Sequence, residues 1–239
     1  MSGSSRKGLP MQEFVRAAGE SANWQSAHYE EPYYFRRTAK LPDKLKKLGI
    51  VDMPVDAHIL DACCGRGEAL QALRELGFNK LEGIDATVGS SRNSTDFRLH
   101  EGDVQQMPFP DESFDVVMNL HALHHMGGQG GVALFLKECY RILKPGGILA
   151  IIDFPGSPQV RLLFWLLRNK LLILTGGLRN FARIVDEEWG YLHPYLQQWS
   201  NVKTTIETSP FDTIRKRQHF FLYYWTMRRR TRESAETSH

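Results

Sequence analysis

One short stretch constrains the fold of this chain more than any other. Residues 60–73, LDACCGRGEALQAL, read as the end of a buried strand, a turn with Gly65 and Gly67, and the start of a helix. Chains that fold in this order present the backbone of the turn to a small molecule, at the N-terminus of the helix. The segment therefore predicts a ligand-binding loop, and the question is which ligand it holds.

The sequence on both sides of this loop alternates between strand-like and helix-like segments. Strands are predicted at HILDAC, KLEGIDA, FRLHEGDV, FDVVMNLH and ILAIIDF, and helices at GEALQALREL and GVALFLKECYRIL. Such alternation is typical of a parallel sheet covered by helices. Two later segments, VKTTIETSPF and HFFLYYWTM, predict an antiparallel pair. The expected fold is α/β, with a doubly wound, mostly parallel seven-stranded sheet, an antiparallel C-terminal strand pair and a helical cap.

The length of 239 residues, of which 42% are hydrophobic, suits a single domain with a sizeable core. We divide it into an N-terminal helical cap (11–55), a cofactor-binding core (56–154), an inserted helical lid (155–201), the final strands (202–230) and a tail (231–239). The first ten residues show no secretory signal, and three cysteines form no disulfide framework, so a cytoplasmic protein is expected. A net charge of +3 does not by itself indicate a nucleic-acid partner.

Acidic residues stand at the ends of three successive predicted strands: Asp61, Asp85 and Asp103. In parallel sheets these ends share the edge where ligands bind. A carboxylate beside the loop repels pyrophosphate but attracts an ammonium or sulfonium group, and a carboxylate can accept two hydrogen bonds from a ribose diol. The dinucleotide fingerprint is incomplete, because Leu70 stands at its third glycine, and no Walker A motif is present. The row of acids favours S-adenosylmethionine over NAD or ATP.

Five segments occur in a recognisable order between residues 57 and 153: ILDACCGRG, GIDA, GDVQQMPFPDESFDVV, LHHM and YRILKPGGILAIID. Together they resemble the class I S-adenosylmethionine-dependent methyltransferases, of the branch that includes the ubiquinone and menaquinone biosynthesis enzymes. The resemblance implies transfer of a methyl group from S-adenosylmethionine to a small organic molecule. The implied cofactor-binding residues are Asp61, Ala62, Cys63, Gly65, Gly67, Asp85, Ala86, Asp103, Val104, Asn119 and Leu120.

Two features depart from the family pattern. Cys63 stands where the family usually has glycine, and its side chain narrows the loop. Between Asp85 and Asp103 the family normally has a full helix, but here TVGSSRNST is rich in turn residues and lacks an apolar face. This helix is therefore expected to be shortened or missing.

The segment NLHALHHM follows the fourth predicted strand. Resemblance to related sugar and small-molecule methyltransferases implies that His124 and Asp153 act together, with the imidazole as a general base for a hydroxyl group. The alternative is that His124 only packs beside the cofactor, because the sulfonium is already a good leaving group and positioning supplies much of the rate. No cysteine or carboxylate cluster in the sequence completes a ligand set with the histidines, so no metal is predicted.

Other classes of function are weighed against this one. A nucleic-acid methyltransferase would usually carry Asn/Asp-Pro-Pro-Tyr/Phe after the fourth strand, and this chain has NLHALHH there, so no nucleic-acid partner is expected. A nicotinamide-dependent oxidoreductase would use the same strand order with a complete glycine fingerprint. A non-catalytic cofactor-binding protein is the remaining alternative, and only turnover separates it from an enzyme.

The insert is strongly apolar but is divided by Arg161, Arg168 and Lys170, so a transmembrane span is not expected. Two interpretations stay open: a helix buried against the N-terminal cap, or a lid that covers the acceptor and touches a membrane surface through residues 158–178. Under either one the acceptor is expected to be mostly apolar, methylated on oxygen or carbon and less readily on nitrogen. The candidate substrate contacts are Trp24, Tyr29, His125, Phe164 and Trp165.

Overall fold

Seven strands form one sheet in the order β3-β2-β1-β4-β5-β7-β6. The structure is a computed structural model that describes residues 40–88, 97–171, 176–219 and 221–231. Strands β1 to β5 run parallel, and β7 lies antiparallel between β5 and β6. The strands are β1 His58–Ala62, β2 Lys80–Asp85, β3 Arg98–Glu101, β4 Phe114–Leu120, β5 Leu143–Asp153, β6 Phe211–His219 and β7 Leu222–Arg229. The predicted sheet with its antiparallel C-terminal pair is confirmed.

Helices cover both faces of this sheet. The α-helices of the described residues are α1 Leu41–Leu48, α2 Glu68–Glu75, α3 Gln129–Ile142, α4 Pro158–Arg168, α5 Gly176–Glu187, α6 Trp189–Gln197 and α7 Trp199–Glu207. Short 3₁₀ helices lie at Ile50–Asp52 and Leu123–Met126. The second of these directly follows β4 and carries the LHHM segment to the carboxyl edge of the sheet.

Alternating side chains of the central strands supply two separate cores, as a period of two residues requires. In β4, Val117 packs with α3 and the helices of the insert, whereas its neighbours Val116 and Met118 pack with α1 and α2. Both sets are buried. A sheet buried on both faces explains why its central strands read as continuous apolar runs in the sequence.

The structure corrects one boundary of the predicted organisation. Residues 202–207 were expected to begin the final strands, but they belong to α7, and β6 starts at Phe211. Val202 and Ile206, four residues apart, are both buried, so the β-branched residues of this segment follow the helical period rather than the strand period. Local β propensity is overridden here by packing against α3.

Other predicted segments are only partly described. In the predicted N-terminal cap, residues 40–55 pack with the core, because Leu41, Leu45, Leu48 and Ile50 join the cluster beneath β1. Residues 11–39, with Trp24 and Tyr29, lie outside the described residues, as do residues 89–96, where a helix was expected to be lost, and 232–239 of the tail. Within the described ranges, no helix is both long enough and apolar enough to cross a bilayer.

Candidate active site

The loop between β1 and α2 is held against β2 by backbone hydrogen bonds. Cys63 and Cys64 both donate their N–H groups to the carbonyl oxygen of Ile84, at 2.8 and 3.1 Å. Gly67 has φ +86°, and a Cβ there would lie 2.6 Å from the ring of Phe97. The turn therefore requires glycine at this position, both for its backbone conformation and for the space beside Phe97.

Cys63 adopts a backbone conformation that glycine normally supplies. Its φ is +67°, in the left-handed region that costs a residue with a Cβ roughly 1–2 kcal/mol. This is the position at which the sequence departs from the family pattern. Cys63 therefore takes the backbone conformation that favours glycine, at a cost in backbone strain.

Asp85, at the end of β2, joins the loop to the next turn. Its carboxylate accepts a hydrogen bond from Gly65 N at 2.9 Å and another from Thr87 N at 3.1 Å. Burial raises the pKa of Asp85, and these N–H groups oppose the effect by stabilising the charged form. The carboxylate therefore lies beside the glycine loop, where a ribose is expected from the sequence.

Asp61 is buried in β1 with 3% of its surface exposed. Its Oδ1 atom has no hydrogen-bond partner among the described residues. Burial, together with the nearby charge of Asp85, raises the pKa of Asp61 to about 8. A buried carboxyl group with an unused oxygen and a raised pKa is a favourable site for a cationic ligand group, which would stabilise its charged form.

The remaining predicted cofactor residues lie at the ends of β2, β3 and β4. Asn119 is buried, and its Nδ2 donates to the carbonyl oxygen of Ala62 at 2.8 Å, while its Oδ1 finds no partner in the described part of the chain. Asp103 caps its own turn by accepting from Gln105 N at 2.8 Å. Val104 is buried beside it, and Ala86 and Leu120 are half-buried at the ends of β2 and β4.

His124 and Asp153 form a buried pair at the same edge of the sheet. His124 Nδ1 lies 2.9 Å from Asp153 Oδ1, and its side chain is only 1% exposed. Asp153 also accepts from the backbone N–H groups of His124, at 3.1 Å, and of Phe154, at 2.7 Å. Because an ionised carboxylate only accepts hydrogen bonds, Nδ1 carries the ring proton, and Nε2 is the atom that faces the insert.

A third group completes this cluster, and it was not among the residues predicted from the sequence. Glu188, between α5 and α6, places Oε2 3.4 Å from His124 Nε2. Burial alone lowers the pKa of His124, but the carboxylates of Asp153 and Glu188 outweigh it and raise the pKa to about 10. Asp186, Glu187 and Glu188 follow one another in the chain, so nothing in the sequence distinguishes the one that turns inward.

Aromatic side chains surround the His124 ring. The ring centroids of His125, Phe154 and Tyr195 lie 4.3, 5.8 and 6.0 Å from it. Phe164 of α4 packs edge-on against Phe154 at 5.1 Å. Two of the predicted substrate contacts, His125 and Phe164, are thus brought towards the His124–Asp153 pair. Trp165 is 52% exposed on the outer face of α4.

The tertiary structure also groups potential metal ligands that the sequence did not reveal. His124, His125 and Glu188 each offer one ligand atom, and these atoms lie within 4.8 Å of one another in the described part of the chain. We assign no ion to them, and the absence of a metal stays a prediction.

Comparisons with known proteins agree with this geometry. A family profile described as a methyltransferase domain matches residues 60–151. A 2-phytyl-1,4-naphtoquinone methyltransferase of Nostoc punctiforme is 30% identical over 162 residues, which cover 62% of this chain and 67% of that protein. The chain belongs to the class I S-adenosylmethionine-dependent methyltransferase family. This confirms the resemblance inferred from the five ordered motifs.

Two further comparisons, one with a sequence relative and one with a solved structure, agree with membership of the methyltransferase family. A 2-methyl-6-phytyl-1,4-hydroquinone methyltransferase of Synechocystis is 34% identical over 127 residues. The match covers 49% of this chain but only 39% of the length of that protein. A solved 1,6-didemethyltoxoflavin-N1-methyltransferase of Burkholderia thailandensis superposes with a TM-score of 0.61 at 13% identity. That match covers 96% of this chain and 94% of the other, and it shows a shared methyltransferase fold.

Proposed function

We propose that this protein transfers the methyl group of S-adenosylmethionine to an oxygen or carbon atom of a small, mostly apolar molecule. The observation that carries the proposal is the meeting of two groups at one sheet edge: the glycine loop with its acids, and the buried His124–Asp153 pair. The strand register supports this meeting, because Asp61 pairs with Met118 of β4, and Leu120 pairs with Ile152 beside Asp153.

The cofactor is assigned to the loop and the acids around it. Asp61 binds the ammonium group of the methionine part, and the loop backbone from Ala62 to Gly67 wraps that part. Asp85 accepts from the ribose hydroxyls through the lone pairs that Gly65 and Thr87 leave. Asp103 and Val104 border the adenine. Asn119 and Leu120 border the methionine and the reacting face.

The acceptor is assigned to the aromatic surroundings of His124. Phe154, Phe164 and Tyr195 are buried apolar groups there, and aromatic side chains stack well on a flat ring. Two relatives are named as a 2-methyl-6-phytyl-1,4-hydroquinone methyltransferase and a 2-phytyl-1,4-naphtoquinone methyltransferase, which supports a ring-bearing apolar acceptor. We therefore propose an aromatic or quinone-like ring that carries a hydroxyl group.

His124 handles the proton of that hydroxyl group. In its neutral form, Nε2 takes the proton while Asp153 holds Nδ1–H and stabilises the imidazolium that forms. When it is bound, S-adenosylmethionine would supply an electrophilic methyl carbon to the deprotonated acceptor and leave as S-adenosylhomocysteine, with the electron pair of the broken carbon–sulfur bond on sulfur. For a carbon acceptor, the same deprotonation makes the ring carbon nucleophilic.

A substrate panel tests this function. The protein is incubated with S-adenosylmethionine and with naphthohydroquinones, substituted phenols, aliphatic alcohols and small charged amines, and S-adenosylhomocysteine release is measured. Release is expected with the hydroxylated rings and not with the charged amines. Binding of NAD in place of S-adenosylmethionine, measured by calorimetry, would instead support an oxidoreductase. Cofactor binding with no turnover on any acceptor would favour a binding protein.

We further propose that α4 rests on a membrane surface from which an apolar acceptor enters. Leu162 and Trp165 of α4 are 57% and 52% exposed, and Leu171, just after the helix, is 59% exposed. The exposed cations Arg161 and Lys170 are the chain neighbours of Leu162 and Leu171. Exposed apolar side chains beside cations suit the interface of an anionic bilayer. The opposite face of the same helix carries Phe164 towards Phe154, which connects this surface with the proposed acceptor site.

A further inference from the structure

Tyr195 of α6 buries a hydroxyl group beside the proposed acceptor site. The residue is only 1% exposed, and its ring meets the His124 ring edge-on, with the two centroids 6.0 Å apart. The hydroxyl group makes no hydrogen bond to any residue that the structure describes. Burial of a hydroxyl group is unfavourable unless a hydrogen bond replaces its contact with water. A bound molecule that offers this hydrogen bond is therefore favoured over one that does not.

The hydroxyl group is not needed to fill the core. The buried residues of α6 are Leu192, Tyr195 and Leu196, whose spacing of three and four residues puts them on one helix face. They join the apolar cluster that also holds Phe154 and Phe164. A phenylalanine at position 195 would supply the same ring to this cluster. The oxygen atom of Tyr195 is thus a polar group at the end of an otherwise apolar face.

The neighbours of Tyr195 place its hydroxyl group near the His124–Asp153 pair. The ring packs between His124 and Trp199, whose ring centroid lies 5.8 Å away. Burial raises the pKa of the Tyr195 hydroxyl group, and the negative charge of Asp153 raises it further, which requires that the two groups lie close together. The group therefore stays protonated at neutral pH, and a protonated phenol donates a hydrogen bond to an oxygen atom.

We propose that the Tyr195 hydroxyl group binds a second oxygen atom of the acceptor, so that the preferred acceptor is a ring with two oxygen substituents. This inference rests on the proposed function, which assigns the reacting hydroxyl group to His124. A hydrogen bond from Tyr195 to that same reacting oxygen would stabilise its anion and make it a poorer nucleophile. A separate oxygen, as a hydroxyl or carbonyl group, accepts from Tyr195 without this penalty.

Tyr195 thereby adds a polar criterion to the apolar selection by Phe154 and Phe164. A ring with a single oxygen substituent can meet His124, but it leaves the Tyr195 hydroxyl group buried without a hydrogen bond. Sites with a buried polar group discriminate strongly against ligands that lack the matching group. Tyr195 is therefore a specificity-determining residue that favours rings with two oxygens over rings with one.

The direct test is calorimetry with two probes, 1,4-dihydroxynaphthalene and 1-naphthol, which share a ring system and differ by one oxygen. The protein is saturated with S-adenosylhomocysteine, which carries no methyl group to transfer, and oxygen is excluded. Wild-type protein is expected to bind the diol at least about tenfold more tightly than 1-naphthol. Tyr195→Phe removes only the oxygen atom, and it is expected to abolish or reverse this preference while affinity for 1-naphthol is retained.

Tyr224→Phe is the matched control, because Tyr224 is also a buried tyrosine but packs on the opposite face of the sheet, with α1 and α2. It is expected to keep the wild-type preference for the diol. A preference that survives in Tyr195→Phe, or an equal loss of affinity for both probes, would overturn the proposal. So would weakened binding of S-adenosylhomocysteine in Tyr195→Phe, which would assign the hydroxyl group to the cofactor.

A second readout is urea unfolding of the protein without any ligand. Tyr195→Phe is expected to be at least as stable as wild type, because it keeps the ring and removes a buried hydroxyl group that has no hydrogen bond to the described residues. A clear loss of stability would show that the hydroxyl group serves the fold, and would overturn the proposal. Neither readout needs turnover, so their failure is distinct from a failure of the proposed function, which the release of S-adenosylhomocysteine reports.

Discussion

Gly65 donates its backbone N–H to the carboxylate of Asp85 at 2.9 Å, so the acid that ends β2 also holds the glycine loop of β1. The two elements that a cofactor must bridge are thereby joined before it binds. Because this one side chain fixes the loop and faces the proposed ribose, its removal affects the binding site in two ways.

Asp85→Ala is expected to weaken S-adenosylmethionine binding by about 1–3 kcal/mol, because the ribose loses a charged partner and the loop loses an anchor. Calorimetry measures the effect. Asp56→Ala, at an exposed acid that lies 3.8 Å from Lys80, is the control and is expected to bind normally. Unchanged affinity in Asp85→Ala would remove Asp85 from the site.

Cofactor binding is expected to depend on pH through Asp61. The pKa of Asp61 is raised to about 8 in the free protein, and an ammonium group beside it favours the charged form. Below pH 8, binding must therefore release a proton, so affinity falls as the pH falls, by at most about tenfold per unit. Above pH 8, the carboxyl group is already ionised and Asp61 no longer contributes to the dependence.

Calorimetry at pH 7 in buffers of different ionisation enthalpy measures this release, which is expected to approach about one proton per cofactor bound. Asp61→Asn cannot ionise, so it is expected to bind weakly and to lose the pH dependence. A wild-type affinity that is flat between pH 6 and 9 would contradict the assignment of the ammonium group to Asp61.

Cys63→Gly is expected to stabilise the protein, because Cys63 adopts φ +67° and glycine reaches that region without strain. The gain is at most about 1 kcal/mol in the free energy of unfolding, since glycine also makes the unfolded chain more flexible. Urea unfolding measures it. Cys63→Ala removes the sulfur but keeps Cβ, and no gain is expected there. A Gly variant less stable than the Ala variant would show that side-chain packing outweighs strain.

His124→Gln is expected to lower kcat for a hydroxylated acceptor by about 10²-fold or more, because glutamine cannot take the acceptor proton at the position of Nε2. Affinity for S-adenosylhomocysteine, measured by calorimetry, is expected to stay unchanged, which separates catalysis from cofactor binding. A variant that turns over at the full rate would leave positioning as the source of the rate.

Replacing Leu162 and Trp165 with Ser is expected to reduce binding to vesicles that contain anionic lipid, measured by sedimentation, because both side chains are exposed on α4. Leu134→Ser removes a leucine that is 50% exposed on α3 and serves as the control. Wild-type protein that does not sediment with these vesicles at low salt would end the membrane proposal.

Much of the fold was predictable because its signals are local. The strands of the core are short apolar runs bounded by turn residues, and the helices carry apolar residues at helical spacing. The spacing of apolar residues and the turn residues that end each segment therefore identify both kinds of element. Asp61, Asp85 and Asp103 could be placed at one edge because the carboxyl ends of parallel strands always share it. The residues 202–207 were assigned wrongly, since Val202 and Ile206 suit either period and only packing against α3 chooses between them.

The sequence by itself determined the parallel sheet, the glycine loop, the row of acids and the pairing of His124 with Asp153 through the family motifs. Only the tertiary structure brought Glu188 to His124 Nε2, across 64 residues of chain, and gave Cys63 its left-handed backbone. The physical reason is the distance along the chain over which each effect acts. Periodicity and turn chemistry act over a few residues, whereas the charge on an imidazole depends on every group that packing brings within a few ångströms of it.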